Sequence, residues 1–139
     1  MADKTSAKPR KLNRKQIREL DVKIGFIEGV VRRDPSYVDA LQVLGDFYTQ
    51  RGSFGKSLAV DKQLSTLEPN NSLAFYNLAC SYSLNREYKL AAAALEKAIA
   101  LGYRDFKWIA RDPDLRTLRK HPEYRNIAAK IQKMRIRIA

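Results

Sequence analysis

The feature that most constrains this chain is a pair of amphipathic helical patterns within residues 72–102, which recurs once at an offset of 34 residues. Each pattern places apolar residues at steps of three and four, which puts them on one face of an α-helix. The first face comprises Phe75, Leu78, Ala79 and Tyr82, and the second comprises Tyr88, Ala91, Leu95 and Ala98. Because neither helix buries its apolar face alone, the pair requires neighbours of the same kind.

The earlier copy of the pattern lies at residues 35–69 and matches best in its first helix. The equivalent apolar positions of that helix are Leu41, Leu44, Gly45 and Tyr48. The second helix matches less well, with Phe54, Lys56 and Leu64 at the places of Tyr88, Leu90 and Ala98. Pro69 ends this copy, and Pro35 lies another 34 residues before it. The spacing therefore predicts a chain of repeated helix pairs.

Two segments resemble the motif of the tetratricopeptide repeat: Leu-x-x-Leu-Gly-x-x-Tyr at residues 41–48 and Phe-x-x-Leu-Ala-x-x-Tyr at residues 75–82. The later copy continues with Ala91-x-x-x-Leu95, as the family motif does. The resemblance implies an all-α fold, a right-handed α–α superhelix (solenoid) of antiparallel helix pairs. It also implies a protein that binds other proteins in the concave groove of the solenoid.

The end of the chain is similar to the degenerate closing repeat of small bacterial members of this family. The similarity rests on Gly-Tyr-Arg-Asp-Phe at 102–106, Asp-Pro-Asp-Leu at 112–115 and His-Pro-Glu-Tyr at 121–124. We predict a disordered basic arm at residues 1–12 and a single repeat domain at residues 13–139. The parts of this domain are a capping helix (13–34), two repeats (35–69 and 70–103) and a degenerate repeat with a basic C-terminal helix (104–139).

The N-terminal residues and the cysteine content indicate a cytoplasmic protein. Residues 1–16 are basic but are not followed by the apolar segment of a secretory signal. No run of about 18 apolar residues predicts a membrane span. Cys80 is the single cysteine, so the chain forms no internal disulfide, as suits a reducing compartment. Asn13 and Gln16, three residues apart, predict the capped start of the first helix.

The formal charge of +12 is concentrated at the two ends of the chain. Before Leu20 there are seven basic and two acidic residues, and from Arg116 onward there are eight basic residues and one acidic residue. The middle of the chain is therefore neutral. Such ends suit phosphates of nucleic acid or an anionic surface. The alternative is solvated helix ends, with cations placed where the helix dipole favours them. The candidate anion contacts are Lys8, Arg10, Lys11, Arg14, Lys15, Lys130, Lys133, Arg135 and Arg137.

The resemblance implies that the groove is lined by exposed residues of each first helix. Partly apolar residues in such a groove suit a bound peptide. The alternative is that these side chains pack against the C-terminal helix, folded back into the groove. The candidate partner-groove residues are Asp39, Gln42, Asp46, Thr49 and Gln50, then Leu73, Tyr76, Asn77, Cys80 and Leu84, then Lys107 and Arg111.

One subfamily of these proteins grips the C-terminal carboxylate of a chaperone tail. Its gripping positions correspond here to Gln42, Asp46, Asn77, Lys107 and Arg111. Lys107 and Arg111, four residues apart, share one helical face and match the pattern. Asp46 departs from it, because a carboxylate repels the carboxylate of such a ligand. The residues therefore favour a basic or neutral peptide held by Asp39 and Asp46.

The sequence gives little support to catalysis. His121 is the single histidine and precedes a proline at a turn. Cys80 has no histidine near it in the repeat geometry, so a nucleophilic dyad is not expected. Neither a glycine-rich phosphate loop nor metal-ligand spacing is present. We predict a non-catalytic adaptor without metal or cofactor, with nucleic-acid or anionic-surface binding as the alternative function and self-association left open.

Overall fold

A computed structural model of the chain describes residues 11–138, with side chains as far as Ile136. The chain divides into two compact units, Met1–Pro69 (unit 1) and Asn70–Ala139 (unit 2). The described residues form α-helices, short 3₁₀ turns and connecting turns, and no strand occurs among them.

The described part of unit 1 contains three α-helices: α1 (Arg14–Arg33), α2 (Val38–Arg51) and α3 (Phe54–Leu67). The start of α1 is fixed by a reciprocal capping box. The Asn13 side chain accepts the Gln16 N–H at 2.8 Å, and the Gln16 side chain accepts the Asn13 N–H at 3.0 Å. This confirms the predicted capping pair.

Gly52 reverses the chain between α2 and α3. Its φ of 83° lies in the left-handed region, which glycine adopts without strain. The N–H of Gly52 donates to the carbonyl of Thr49 at 3.0 Å, and the N–H of Ser53 donates to that of Tyr48 at 2.8 Å. Because the last carbonyls of α2 are satisfied in this way, the helix stops there and α3 packs back against it.

The core of unit 1 includes the apolar positions of α2 that the 34-residue repeat predicts. It comprises Leu20 and Ile24 from α1, Leu41, Leu44 and Tyr48 from α2, and Val60 and Leu64 from α3. Leu12, predicted to lie in a disordered arm, is instead half-buried against this core, because it adds an apolar side chain directly before the cap of α1. Residues 1–10 of that arm lie outside the described residues.

A hydrogen bond joins α1 to α2 within this core. The Tyr48 hydroxyl donates to Oε2 of Glu28 at 2.5 Å. Burial of the hydroxyl, and next the bond to the Glu28 carboxylate, raise the pKa of Tyr48 from 10.0 to about 12.

Unit 2 contains α4 (Ser72–Leu84), α5 (Tyr88–Ala100), α6 (Phe106–Ile109), α7 (Arg116–Arg119) and α8 (Arg125–Ile138). Helices α4 and α5 pack along each other as an antiparallel pair. After them the elements shorten: α6 and α7 have four residues each, and α7 contacts both α4 and α5. Unit 2 thus joins one full helix pair to a set of short closing elements.

Two prolines set the starts of the closing elements. Pro113–Leu115 and Pro122–Tyr124 form 3₁₀ turns that lead into α7 and α8. A proline fits the first position of a helical turn, where its missing N–H has no intrahelical partner. The basic C-terminal helix, α8, begins at Arg125, directly after the second turn.

The predicted all-α fold of packed, antiparallel helices is confirmed. Within each unit, consecutive long helices pack against each other: α1 on α2, α2 on α3, and α4 on α5. The buried residues of α2 and α4 fall at equivalent places of the 34-residue repeat, such as Leu44 with Leu78 and Gly45 with Ala79. The repeat therefore describes packing as well as sequence.

The same substitution at two glycines should change stability in opposite directions. A Cβ at Gly45 would meet Val60 and Asp61 at 3.4 Å, an ordinary contact, and Ala79 already occupies the equivalent buried place. We expect Gly45→Ala to stabilise the protein by about 0.5–1 kcal/mol through helix propensity. Gly52→Ala should destabilise it by about 1 kcal/mol, because its φ is positive. Urea unfolding followed by circular dichroism measures both, and equal signs would contradict this account.

Alkaline pH should remove the contribution of the Tyr48 hydrogen bond to stability. The pKa of Tyr48 is raised in the folded state, so its contribution to stability is complete below pH 10 and is lost as pH rises to about 12. We expect Tyr48→Phe to be less stable than the unmodified protein at neutral pH and to lose less stability across this interval. Urea midpoints measured along the pH series test it, and parallel curves for the two proteins would contradict it.

Candidate functional site

Helix α4 directs two side chains, one turn apart, into the interior of unit 2. The Tyr76 hydroxyl donates to Oδ2 of Asp112 at 2.5 Å, and the Cys80 thiol donates to the same oxygen at 3.6 Å. The ring of Tyr103 stacks on that of Tyr76, with centroids 4.2 Å apart and planes at 4°. We call these four residues the Tyr76 cluster.

The Tyr76 cluster corrects the prediction that Tyr76 and Cys80 line an exposed groove. Their exposed fractions are 1% and 0%. The reason is that the 3₁₀ turn Pro113–Leu115 and α7 pack on α4 and cover both side chains. The alternative to an exposed groove was that the C-terminal helix packs on these side chains. The residue that contacts Tyr76 instead comes from the closing turn, at Asp112.

Asp112 is tied into its own turn as well. Its Oδ1 accepts the N–H of Asp114 at 2.9 Å, which caps the 3₁₀ turn. The Arg119 guanidinium donates to the backbone carbonyls of Asp112 and Ile109, each at 2.8 Å. The buried carboxylate therefore has donors from α4 and from its own backbone, as a charge in a protein interior requires.

Both tyrosines of the cluster are neutral at ordinary pH, and Tyr76 is the donor to Asp112. Burial raises the pKa of Tyr76 far above its usual value, and the nearby Cys80 and Asp112 raise it further. Burial also raises the pKa of Tyr103, against a smaller lowering by its hydrogen bond to Tyr76. Neither hydroxyl ionises near neutral pH, so neither tyrosine is an activated nucleophile.

The fold also brings together three side chains of metal-ligating type. Ligand atoms of Cys80, Asp112 and Asp114 lie within 4.8 Å of one another, and all three residues are buried. Their positions in the sequence show no metal motif, because they come from α4 and from the closing turn. Since Tyr76 and Cys80 both donate to Asp112, we assign this group a hydrogen-bonding role.

An open groove of about 610 Å³ lies beside α6 and α8, and we call it the α6–α8 groove. Phe106 and Ile131 form its buried part, and Ile136 is 68% exposed along it. The lining residues are Phe106, Ala110, Tyr124, Ala128, Ile131, Gln132, Arg135 and Ile136. The groove is thus mostly apolar, with one cation in its lining.

The surroundings of this groove are strongly basic. Lys107 and Arg111, both exposed, each follow a lining residue in the chain. Between Phe106 and Ile136, Glu123 is the only acidic residue among the exposed charged side chains. The others are Lys107, Arg111, Arg116, Lys120, Arg125, Lys130, Lys133 and Arg135. The arrangement suits an apolar ligand segment that carries negative charge.

The predicted groove residues of unit 1 fall into two groups. Asp39 is exposed, and Gln42, Asp46 and Gln50 are half-buried on α2. Thr49 is buried, so its predicted place in a partner groove is wrong. Its hydroxyl lies 2.7 Å from that of Ser57 and donates to the carbonyl of Gly45 at 3.1 Å, because it faces the contact between α2 and α3.

The remaining predicted residues lie mostly at the surface. In unit 2, Leu73, Asn77 and Leu84 are half-buried. Of the candidate anion contacts, Lys11, Arg14, Lys15, Lys133 and Arg135 are exposed, and Lys130 pairs with Glu96 at 3.3 Å. Lys8 and Arg10 lie outside the described residues, as does the side chain of Arg137.

Sequence analysis did not identify the lining of the α6–α8 groove. Its signal is two apolar residues of α8, Ala128 and Ile136, at helical spacing beside the core positions Ile127 and Ile131. Apolar residues on an additional face of an amphipathic helix indicate a contact beyond its core packing. Phe106 and Ala110 carry no comparable signal, because α6 has a single turn.

The described residues form an all-α protein of packed helix pairs with a helical repeat. Within residues 11–138, no helix has the length and apolar character that crossing a membrane requires. No protein-family model matches the chain.

Curated relatives match parts of the chain. A chloroplastic protein of Arabidopsis thaliana is 49% identical over 53 residues, which are 38% of this chain and 16% of that protein. The peroxisomal targeting signal receptor of Komagataella phaffii is 38% identical over 91 residues, 63% of this chain and 16% of the receptor. That of Candida albicans is 38% identical over 77 residues, 55% of this chain and 13% of the receptor. The chain thus matches a sixth or less of the length of these relatives. The bacterial type stays a prediction.

Removing one hydroxyl from the Tyr76 cluster should destabilise the protein. Tyr76→Phe keeps the ring that stacks on Tyr103 but takes a donor from the buried Asp112 carboxylate. We expect a loss of about 1.5–3 kcal/mol in the free energy of unfolding. Tyr37→Phe, at a residue that is 46% exposed, is the matched control and should change stability little. Equal stability of the two variants would show that Asp112 does not depend on Tyr76.

Proposed function

We propose that this chain is a non-catalytic protein-interaction module, and that the α6–α8 groove binds an apolar, acidic segment of a partner protein. Two of the relatives are named as receptors of a targeting signal. A receptor binds its target without transforming it, which supports a binding function here. The adaptor function expected from the sequence is of the same class.

The apolar lining of the α6–α8 groove is the observation that carries this proposal. In repeat proteins each helix pair buries its apolar face against the next element, and an element without a neighbour leaves such a face open. Ile136 at 68% exposure, beside Ala128 and Ala110, presents an open face of this kind. An amphipathic helix of a partner fills such a groove with side chains at helical spacing.

The charge of the groove surroundings selects the partner chemistry. Arg135 lines the groove, and Lys107 and Arg111 follow its lining residues. A segment with carboxylates beside its apolar face gains attraction from these cations, whereas a basic segment is repelled. We therefore propose an acidic amphipathic helix as the ligand of this groove.

The polar face of α2 is our proposal for a second contact surface. Asp39 and Asp46, with Gln42 beside them, present carboxylates suited to a basic or neutral peptide. Leu73, Asn77 and Leu84 on α4 stay candidates for partner contact, because the resemblance to tetratricopeptide repeats implies that first helices bind partners. An adaptor requires more than one surface, and acidic and basic surfaces accept different partners.

The alternative function is the binding of nucleic acid or an anionic surface. Exposed Lys11, Arg14 and Lys15 at the start of α1 support it, as do Lys133 and Arg135 on α8. Phosphate binding of this kind needs cations but no apolar groove, and it weakens steeply with salt. Apolar substitutions in the groove therefore separate the two functions.

The test uses a helical peptide with leucines on one face and glutamates on the other, and its binding is followed by fluorescence anisotropy. Arg135→Glu should weaken binding by about tenfold, because an attractive charge becomes repulsive. Ile136→Glu should weaken it similarly, because a carboxylate then enters the apolar contact. The control is Leu90→Glu on α5, at a residue that is 46% exposed and outside the groove lining.

Two further ligands complete the design. The same peptide with lysines in place of glutamates should not bind detectably. Equal binding of both peptides, or binding unchanged by both groove variants, would contradict the proposal. An RNA duplex bound more tightly than the acidic peptide, and released by neutralising Lys11, Arg14 and Lys15, would favour the alternative function.

A further inference from the structure

The outer face of α1 in unit 1 carries two large apolar side chains. Val22 is 73% exposed and Phe26 is 71% exposed, one helical turn apart. Leu20 and Ile24, which α1 buries in the core, lie on the opposite side of the helix. An apolar face opposite the core face has no function in folding of unit 1, so it indicates a docking surface.

This face also has room for a close neighbour. A Cβ at Gly25 or Gly29 would meet no atom within 4 Å, so the backbone of α1 is open at both places. Glycine in the interior of a helix costs about 1 kcal/mol relative to alanine. The two glycines beside Phe26 leave space for a bulky side chain of another helix.

We infer that α1 pairs with α1 of a second copy of this chain, antiparallel and about a two-fold axis at Phe26. A two-fold contact uses the same surface on both copies, so that surface must complement itself. Here each copy offers the Phe26 ring as a projection and the Gly25 and Gly29 backbone as open space. Two apolar stripes then close on each other.

Charge supports the antiparallel arrangement. In a pair centred on Phe26, residues equally far before and after it come together. Glu19, seven residues before Phe26, meets Arg33 of the second copy, seven residues after it. Arg18, eight residues before, meets Asp34, eight residues after. All four side chains are exposed, so the symmetry aligns two opposite-charge pairs on each side of the axis.

A parallel pair would not have this property. It would place each charged residue beside its own copy, so Glu19 would face Glu19 and Arg33 would face Arg33. Residues 1–10 are not a suitable cover for the face either, because Met1 is their only large apolar residue. Among these arrangements, the antiparallel pair of two copies satisfies both the apolar and the charged residues.

The experiment is sedimentation equilibrium of the full chain from micromolar to near-millimolar concentration. We expect a reversible dimer that Phe26→Glu abolishes, because two carboxylates would then meet at the axis. Glu19→Arg and Arg33→Glu should each weaken the dimer about tenfold, since each variant turns two attractive pairs into repulsive ones. The double variant, with the charges exchanged, should return the dissociation constant to within about threefold of the unmodified chain.

Two controls make the outcomes decisive. Val43→Glu changes an apolar residue that is 39% exposed on α2, and the dimer should persist in it. Circular dichroism should show every variant folded, because each substituted residue is exposed. A monomer at all concentrations would overturn the inference. So would a dimer that survives Phe26→Glu, or a double variant no better than the single ones.

Discussion

A buried carboxylate governs how the second unit closes. Asp112 has no exposed surface, and an ionised group inside a protein is stable only where donors replace its lost hydration. Its donors are the Tyr76 hydroxyl and the Cys80 thiol on α4, together with the N–H of Asp114 in its own turn. A four-residue helix such as α6 is not stable alone. This contact therefore holds the closing turn against α4, together with the buried side chains of Ile109, Leu115 and Leu118.

Unit 1 uses the same chemistry with a different result. The Tyr48 hydroxyl donates to Glu28 and joins α2 to α1, as Tyr76 joins α4 to the closing turn. Glu28 is half-buried whereas Asp112 is fully buried, so the two bonds differ in their contact with solvent. The bond in unit 1 reinforces a contact that apolar packing already makes. That in unit 2 joins α4 to a closing turn, where it lies beside the fully buried Leu115 and Leu118.

The long helices could be predicted from the sequence because their signals are local or periodic. The Asn13–Gln16 capping box spans three residues, and the apolar faces of α2 and α4 follow a repeat of 34. The contact of Tyr76 with Asp112 joins residues 36 apart, with α5 and α6 between them, and Asp112 starts a turn that the 34-residue period does not contain. In a regular repeat, the position of Tyr76 on the first helix would be exposed to solvent. The prediction failed there because the closing segment does not continue that geometry.

Exposed apolar surface and charge together distinguish the two open faces of this chain. The α1 face has both signs of charge around Val22 and Phe26, arranged so that Glu19 and Arg33 are equally far from its centre. A surface of that kind complements itself. The exposed charged side chains around the α6–α8 groove are almost all cations, so two copies of the groove would repel each other. Apolar exposure makes each face a candidate docking surface. The charge pattern is the reason that we propose a copy of this chain for the α1 face and an acidic partner for the groove.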